Sequence, residues 1–283
     1  MLFIPARLTS FKLPKRYVLK SWFFPGRWLS DAELDILRQT IYSITMTKLG
    51  VLPKYGVYSK SREPYKNRII SIAYDKITRT PIGFTAMVHI QLPTNTTREP
   101  VIHLGLVITT TNRLGRALLF FIYFWPLLYF LTIRKFKPFW ITSVSMEPSI
   151  IGSVSDNFGS VFPHYLQNTT ATAAQCEIAQ RLFCEHGDEF GMGQHAHLDL
   201  QNFVVRGSCR GPSDALRVKY DNSAKYITLK CNKFCELTLD YERGDEILQV
   251  GHVSLRSSLS VFARLFRDQM GRLACAIEKR RRI

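Results

Sequence analysis

Between Val101 and Ile133 the sequence changes character twice. Val101–Thr110 is a run of β-branched and apolar residues of strand length. Asn112–Arg116 interrupts it with one glycine and two arginines. Ala117–Ile133 then runs for about 17 residues without a charge, and carries Phe120, Phe121, Phe124, Trp125 and Phe130. A strand that enters a glycine-bearing loop and opens a helix makes an anion site, because the first free N–H groups of the helix point at the ligand and its macrodipole favours negative charge. In Asn112-Arg113-Leu114-Gly115-Arg116-Ala117, Gly115 lets a ligand approach the backbone and Ala117 keeps the next turn small. Arg113 and Arg116 add positive charge. An ordinary strand–helix turn has the same bare pattern.

The uncharged helix has three readings. A buried central helix is favoured. A greasy face against a membrane or an acyl chain is the second. A transmembrane span is the third, since about 17 residues is near the lower limit for crossing a bilayer. Pro126 predicts a kink or a break in each case. Arg113 and Arg116 flank the run on one side, and Arg134, Lys135 and Lys137 on the other.

Around this core the chain reads as helices alternating with strands. Residues up to about Arg27, with prolines at Pro5, Pro14 and Pro25, read as an irregular arm. Ser30-Asp31-Ala32-Glu33 fits a capping box, Leu34, Leu37, Ile41 and Ile44 follow at helical spacing, and Gly50 is a natural stop. Arg68–Tyr74 and Ile82–Gln91 read as a β-hairpin. Phe139–Met146 reads as a strand, and Glu147-Pro148-Ser149 opens a short helix. Further on, Ala171–Glu185 suggests a helix, and Asn202–Arg206, Tyr226–Leu229 and Ile247–Val253 suggest strands. A last helix is expected from Leu259 to Ile277. This order implies an α/β layer with at least one parallel strand pair.

The stretch Val101–Leu119 resembles the central motif of the GNAT acyltransferases, in which a strand runs into a Gln/Arg-x-x-Gly-x-Gly/Ala loop. Gly115 and Ala117 match, while Asn112 stands at the first position. The resemblance covers roughly Leu29 to Tyr165 and implies a mixed, splayed sheet flanked by helices, with a C-terminal α+β extension. The organisation it implies is an arm at 1–28, an acyl-CoA-binding core at 29–167, and an extension at 168–283 that completes the sheet, covers the acceptor site or mediates dimerisation. It further implies acetyl-CoA or acyl-CoA as acyl donor, or an acyl-carrier protein, and an amine on a small molecule or protein as acceptor. Val107, Ile108, Asn112, Arg113, Leu114, Gly115, Arg116 and Ala117 are the expected cofactor-binding residues. Many family members place a thiolate-protonating Tyr on the helix after the next strand; here that helix, Ser149–Phe158, has none. Ser155 is its nearest hydroxyl, and Tyr165 lies beyond.

Attack of an amine on a thioester needs a group that takes the ammonium proton. His103 lies on the motif strand, shares a face with Val101 and Gly105 by two-residue alternation, and titrates near neutrality. Glu99 is a second candidate from the same face. His164 and Tyr165 follow the short helix, where acceptor contacts gather. For each the plain alternative is a satisfied sheet histidine or a loop residue.

The net charge of +16 calls for an anionic partner, and a phosphorylated cofactor, an acidic carrier protein or an acidic membrane surface all qualify. Nucleic acid is disfavoured because no motif of reading spacing is present. Six cysteines, all in the C-terminal half, follow no secretory signal, so reduced thiols in a cytoplasmic, or membrane-associated, protein are expected. His195-Ala196-His197-Leu198-Asp199 and Cys231…Cys235 are fragments of metal-site patterns; no metal is expected. The leading function is an N-acyltransferase. The alternatives are a non-catalytic acyl-CoA- or membrane-binding protein on the same fold and, third, a metal-dependent hydrolase.

Overall fold

The computed structural model describes residues 7–12, 17–109, 115–209 and 215–255. The loop at 110–114, the final helix expected at 259–277 and the basic run at 279–282 lie outside them. Ten strands form one sheet: β1 (Leu8–Lys12), β2 (Tyr17–Phe23), β3 (Arg68–Asp75), β4 (Pro81–Ile90), β5 (Val101–Thr109), β6 (Phe139–Ser145), β7 (Gly159–Phe162), β8 (His197–Asp199), β9 (Val204–Arg206) and β10 (Glu246–Val253). The spatial order is β1-β2-β3-β4-β5-β6-β10-β9-β8, with β7 also paired to β10. Among the described pairings β5 and β6 are parallel and the rest antiparallel. Strands after residue 168 therefore join the sheet itself.

Helices cover both faces. α1 (Asp31–Leu49) and α4 (Ala173–His186) pack on one, where Leu34, Leu37, Ile41, Ile178 and Leu182 meet Ile70, Phe84, Ala86 and Val88. α2 (Gly115–Ile133) and α3 (Pro148–Asn157) pack on the other, where Leu127, Phe130 and Val154 meet Ile69, Met87, Ile102 and Ile141. β3 and β4 are covered on both sides, which is why they read as almost continuous apolar runs. α5 (Leu229–Thr238) packs on α3 through Cys231, Cys235 and Ile151.

α1 forms as its sequence predicts. The Ser30 hydroxyl accepts from the Glu33 N–H at 3.3 Å, the Glu33 carboxylate accepts from the Ser30 N–H at 2.9 Å, and Gly50 closes the helix in the left-handed conformation. α2 runs through Pro126 without a break. Ile122, Leu127, Phe130 and Leu131 bury one side of it, while Phe124, Trp125 and Tyr129 are half-buried. Among the described residues no helix is long and apolar enough to cross a membrane.

Two expectations from the sequence are corrected. Residues 8–12 and 17–23 are not irregular: they form β1 and β2, and β2 buries Leu19, Ser21 and Phe23 in alternation while Lys20 stays exposed. The prolines that suggested an arm sit outside those strands. Tyr226–Leu229 is not a strand. The Asn232 side chain, one helical turn into α5, accepts from the Tyr226 N–H at 2.8 Å and donates to its carbonyl at 3.1 Å. A side-chain amide supplies the pairing that a neighbouring strand would have given.

Candidate active site

The site is built by an irregularity in β5. Ala86 faces Leu106, but Val88 faces His103, so β5 holds one residue more than β4 between these pairs. Gly105 takes up the extra residue with φ +61°, a conformation that side chains with a Cβ rarely adopt. A bulge bends its strand and increases its twist. β5 accordingly pairs with β6 only from Val101 to His103, opposite Trp140 to Thr142. Beyond His103 the two strands diverge. Gly105, Leu106 and Val107, in the middle of a ten-stranded sheet, are half-exposed, as are Val144 and Ser145 on the facing strand. The strand order, the single parallel pair and the gap that opens along it make a mixed, unclosed α/β sheet.

Solved structures similar to the chain include the following three. A ribosomal-protein-S5-alanine acetyltransferase from Vibrio fischeri is 8% identical with a TM-score of 0.34, over 86% of this chain and 95% of that one. A GCN5-related glucosamine N-acetyltransferase region of a fungal multi-domain β-N-acetylglucosaminidase is 14% identical with a TM-score of 0.30, over 68% of this chain and 19% of that one. A spermidine N-acetyltransferase chimera from Vibrio cholerae is 11% identical with a TM-score of 0.25, over 48% and 71%. No family model and no curated protein matches the sequence. The mixed, unclosed sheet is read from the strand order, the bulge and the splay.

The floor of the splay, on the α1 and α4 side, holds a buried polar cluster. His103 Nδ1 lies 3.0 Å from the Thr142 hydroxyl and its Nε2 lies 3.3 Å from the Tyr55 hydroxyl. The Phe190 ring stacks on the imidazole at 3.8 Å, and His103 is 2% exposed. Burial first, then the charges of Arg68 and His186, lower its pKa to about 3. The ring is neutral at physiological pH, with one nitrogen donating and the other accepting. Burial pushes the Tyr55 hydroxyl well above its ordinary range, and Glu246 and Glu189 push it further, against the pull of Arg68.

Glu246 opens β10, which pairs with β6 on its far side from the gap. Leu248 and Val250 belong to the α1-side core, so alternation puts Glu246 on the same face, close enough to Tyr55 to act on its hydroxyl. Burial raises the pKa of Glu246, partly opposed by the hydrogen bond that the Ser208 hydroxyl donates at 2.6 Å. Arg68, fully buried at the start of β3, donates to Glu189 at 2.5 Å. Its Nε and second terminal nitrogen have no hydrogen-bond partner among the described residues.

The residues expected from sequence are thus distributed unevenly. His103 stands at the floor of the splay. The bulge corrects its neighbours: Leu106, not Gly105, shares its face. Glu99 lies before β5, roughly 13 Å along an extended chain from His103, with its carboxylate 3.0 Å from His252 Nε2. Tyr165 donates to Asp156 at 2.9 Å beside α3 and stacks on His164. The Ser155 hydroxyl accepts from Gln249 in the core. Val107 and Ile108 lie on the splayed part of β5. Asn112, Arg113 and Leu114 fall outside the described residues, as do the side chains of Arg116 and Ala117. Gly115 is the first residue of α2.

Asp199 and Cys231 of the metal-like fragments have other partners. Asp199 accepts from Asn202 and Arg206, and no group of three metal-ligating side chains occurs among the described residues. Among the described residues the cysteines form no disulfide.

The depressed pKa of His103 has a measurable consequence. Its folded value lies below the unfolded value of 6.5, so the unfolded chain takes up the proton first. The stability this contributes is full above pH 6.5 and is lost as pH falls toward about 3. Urea unfolding is expected to show a loss of about 2.5 kcal/mol from this group between pH 7 and 4.5. His103→Asn should flatten that slope. An unchanged slope in the variant would assign it elsewhere.

Proposed function

We propose that the chain is an acyltransferase that moves an acetyl or longer acyl group from acyl-CoA, or from an acyl-carrier donor, to an amine. The observation that carries this reading is the splay: beyond His103 the β5 edge facing β6 is unpaired, half-exposed and flanked by apolar side chains. Such an edge offers backbone groups to the amide-bearing arm of a phosphopantetheine. Main-chain groups near Val107 and Ile108 would hold that arm. The segment Asn112–Ala117, with Arg113 and Arg116 and the N-terminus of α2, would take the phosphates. The donor supplies the activated thioester carbonyl.

In this reading Glu246 takes the proton of the incoming ammonium, because a desolvated carboxylate of raised pKa is a stronger base than an exposed one. His103, neutral and bonded at both nitrogens, relays polarity between Tyr55 and Thr142. Glu99 and Tyr165 are occupied by His252 and Asp156. Tyr55 and Glu246 stand nearer the gap and replace them as the groups to test.

A second reading is an acyl-CoA-binding protein without turnover. It is favoured by the seal of Phe190 over His103 and by the lack of a Tyr in α3. Offering acetyl-CoA and dodecanoyl-CoA with a panel of primary amines, while following thiol release, separates the two. Gly115→Glu is expected to weaken acyl-CoA binding about 100-fold, by setting a carboxylate where phosphate is bound. Glu246→Gln is expected to keep binding and lower kcat about 100-fold. Binding without thiol release selects the second reading. Neither binding nor release at millimolar acyl-CoA defeats both.

A further inference from the structure

The end of the sheet where β5 and β6 are still paired carries a cavity that the acyl-transfer reading does not use. It measures about 1540 Å³, above the volume of an ordinary small-molecule pocket. It lies where β2 and β4 end and β3 begins, against the C-terminal turn of α2. Phe23, Phe24, Trp28, Ile90, Phe130 and Ile133 give it apolar walls, and Arg7, Arg27 and Arg134 line it with positive charge.

The charges in this cavity do not balance. Its two carboxylates are already paired: Glu63 with Lys66 at 2.7 Å, and Glu189 with Arg68 at 2.5 Å. Among the described residues the cavity's arginines have no carboxylate partner within ion-pair distance. Arg27 donates to neutral acceptors, the Lys66 carbonyl at 2.6 Å and the Asn67 side-chain oxygen at 2.8 Å. Arg134 has a buried Nε with no hydrogen-bond partner among the described residues, and its guanidinium rests 5.7 Å from the centre of the Phe130 ring. Glu99 acts on it only at a distance, its carboxylate being bonded to His252. His89 reports the same field: held between Phe24 and Phe130, it is kept neutral by burial, then by Arg134 and Arg27, with a pKa lowered to about 4. A half-buried guanidinium above an aromatic floor, with no carboxylate bonded to it among the described residues, matches a planar carboxylate, which accepts two parallel hydrogen bonds.

We infer that this cavity binds an amphiphilic carboxylate, its head on Arg134 with Arg27 at the rim and its apolar body against Phe24, Trp28 and Phe130. The inference is independent of the acyl-transfer reading, because the site lies at the other end of β5.

Trp28 fluorescence and calorimetry, with octanoate, octan-1-ol and octyl phosphate as probes of one chain length, test it. Octanoate is expected to bind one-to-one and at least tenfold tighter than octan-1-ol. Arg134→Gln should weaken octanoate about tenfold and leave octan-1-ol unchanged. Arg27→Gln, a change at an exposed residue that keeps the fold, should weaken octanoate about threefold. No binding of octanoate, equal binding of octanoate and octan-1-ol, or indifference of octanoate to both arginine variants would overturn the site. A tenfold preference for octyl phosphate over octanoate would overturn its assignment to carboxylates.

Discussion

Gly105→Val is expected to destabilise the protein by about 4 kcal/mol in urea unfolding. Two costs add. A β-branched residue at φ +61° is strained by about 1–3 kcal/mol. Its Cβ would also fall inside contact distance of the Ala86 carbonyl oxygen across the ladder, and overpacking of a closed core costs about 1–3 kcal/mol. Neither cost is relieved by moving a side chain, because the obstacle is backbone. Gly105→Ala meets the same oxygen and should lose at least about 2 kcal/mol. An alanine variant within about 0.5 kcal/mol of the parent, the range of an ordinary surface change, would mean that the bulge does not sit at 105. The variants that still fold should also lose acyl-CoA affinity, since a regular β5 would stay beside β6 and close the gap.

Arg68→Met is the second large effect, expected at about 3–5 kcal/mol. Arg68 is fully buried and its partner Glu189 is mostly buried. Removing the guanidinium leaves a carboxylate in a low-dielectric setting whose remaining ion-pair partner among the described residues is His186, at 3.5 Å. A buried pair is costly to break and often cheap to replace whole, so Arg68→Met with Glu189→Leu should recover about half of the loss or more. A double variant as unstable as the single one would show that Arg68 acts through other neighbours, such as the Tyr55 and His103 cluster.

Both effects concern residues that the sequence marks only faintly. Arg68 opens a strand that is otherwise apolar, and a charge at such a position is a usable signal of a buried pair. Glu246 precedes an apolar run in the same way. Tyr55 follows Pro53 in a loop without any motif, and nothing local points to His103, 48 residues away. Gly105 is legible as a glycine inside a strand, a mark of a bulge or a close approach. The direction in which the strand bends is not legible, and the two-residue alternation that paired Gly105 with His103 fails for that reason.

The sequence alone determined the element order from α1 to α3. The capping box at Ser30 and Glu33, the hairpin, the motif strand and the apolar α2 are local patterns whose hydrogen bonds and burial are satisfied within a few residues or by any apolar partner. The tertiary structure decided the rest. It made β1 and β2 an edge of the sheet, placed β10 between β6 and β9 although about 100 residues separate it from β6 in the chain, and set Tyr55, Arg68, His103, Thr142 and Glu246 on one face. Those positions depend on register, and register is fixed by long-range pairing and by one bulge. A shift of a single residue there turns every following side chain to the other face.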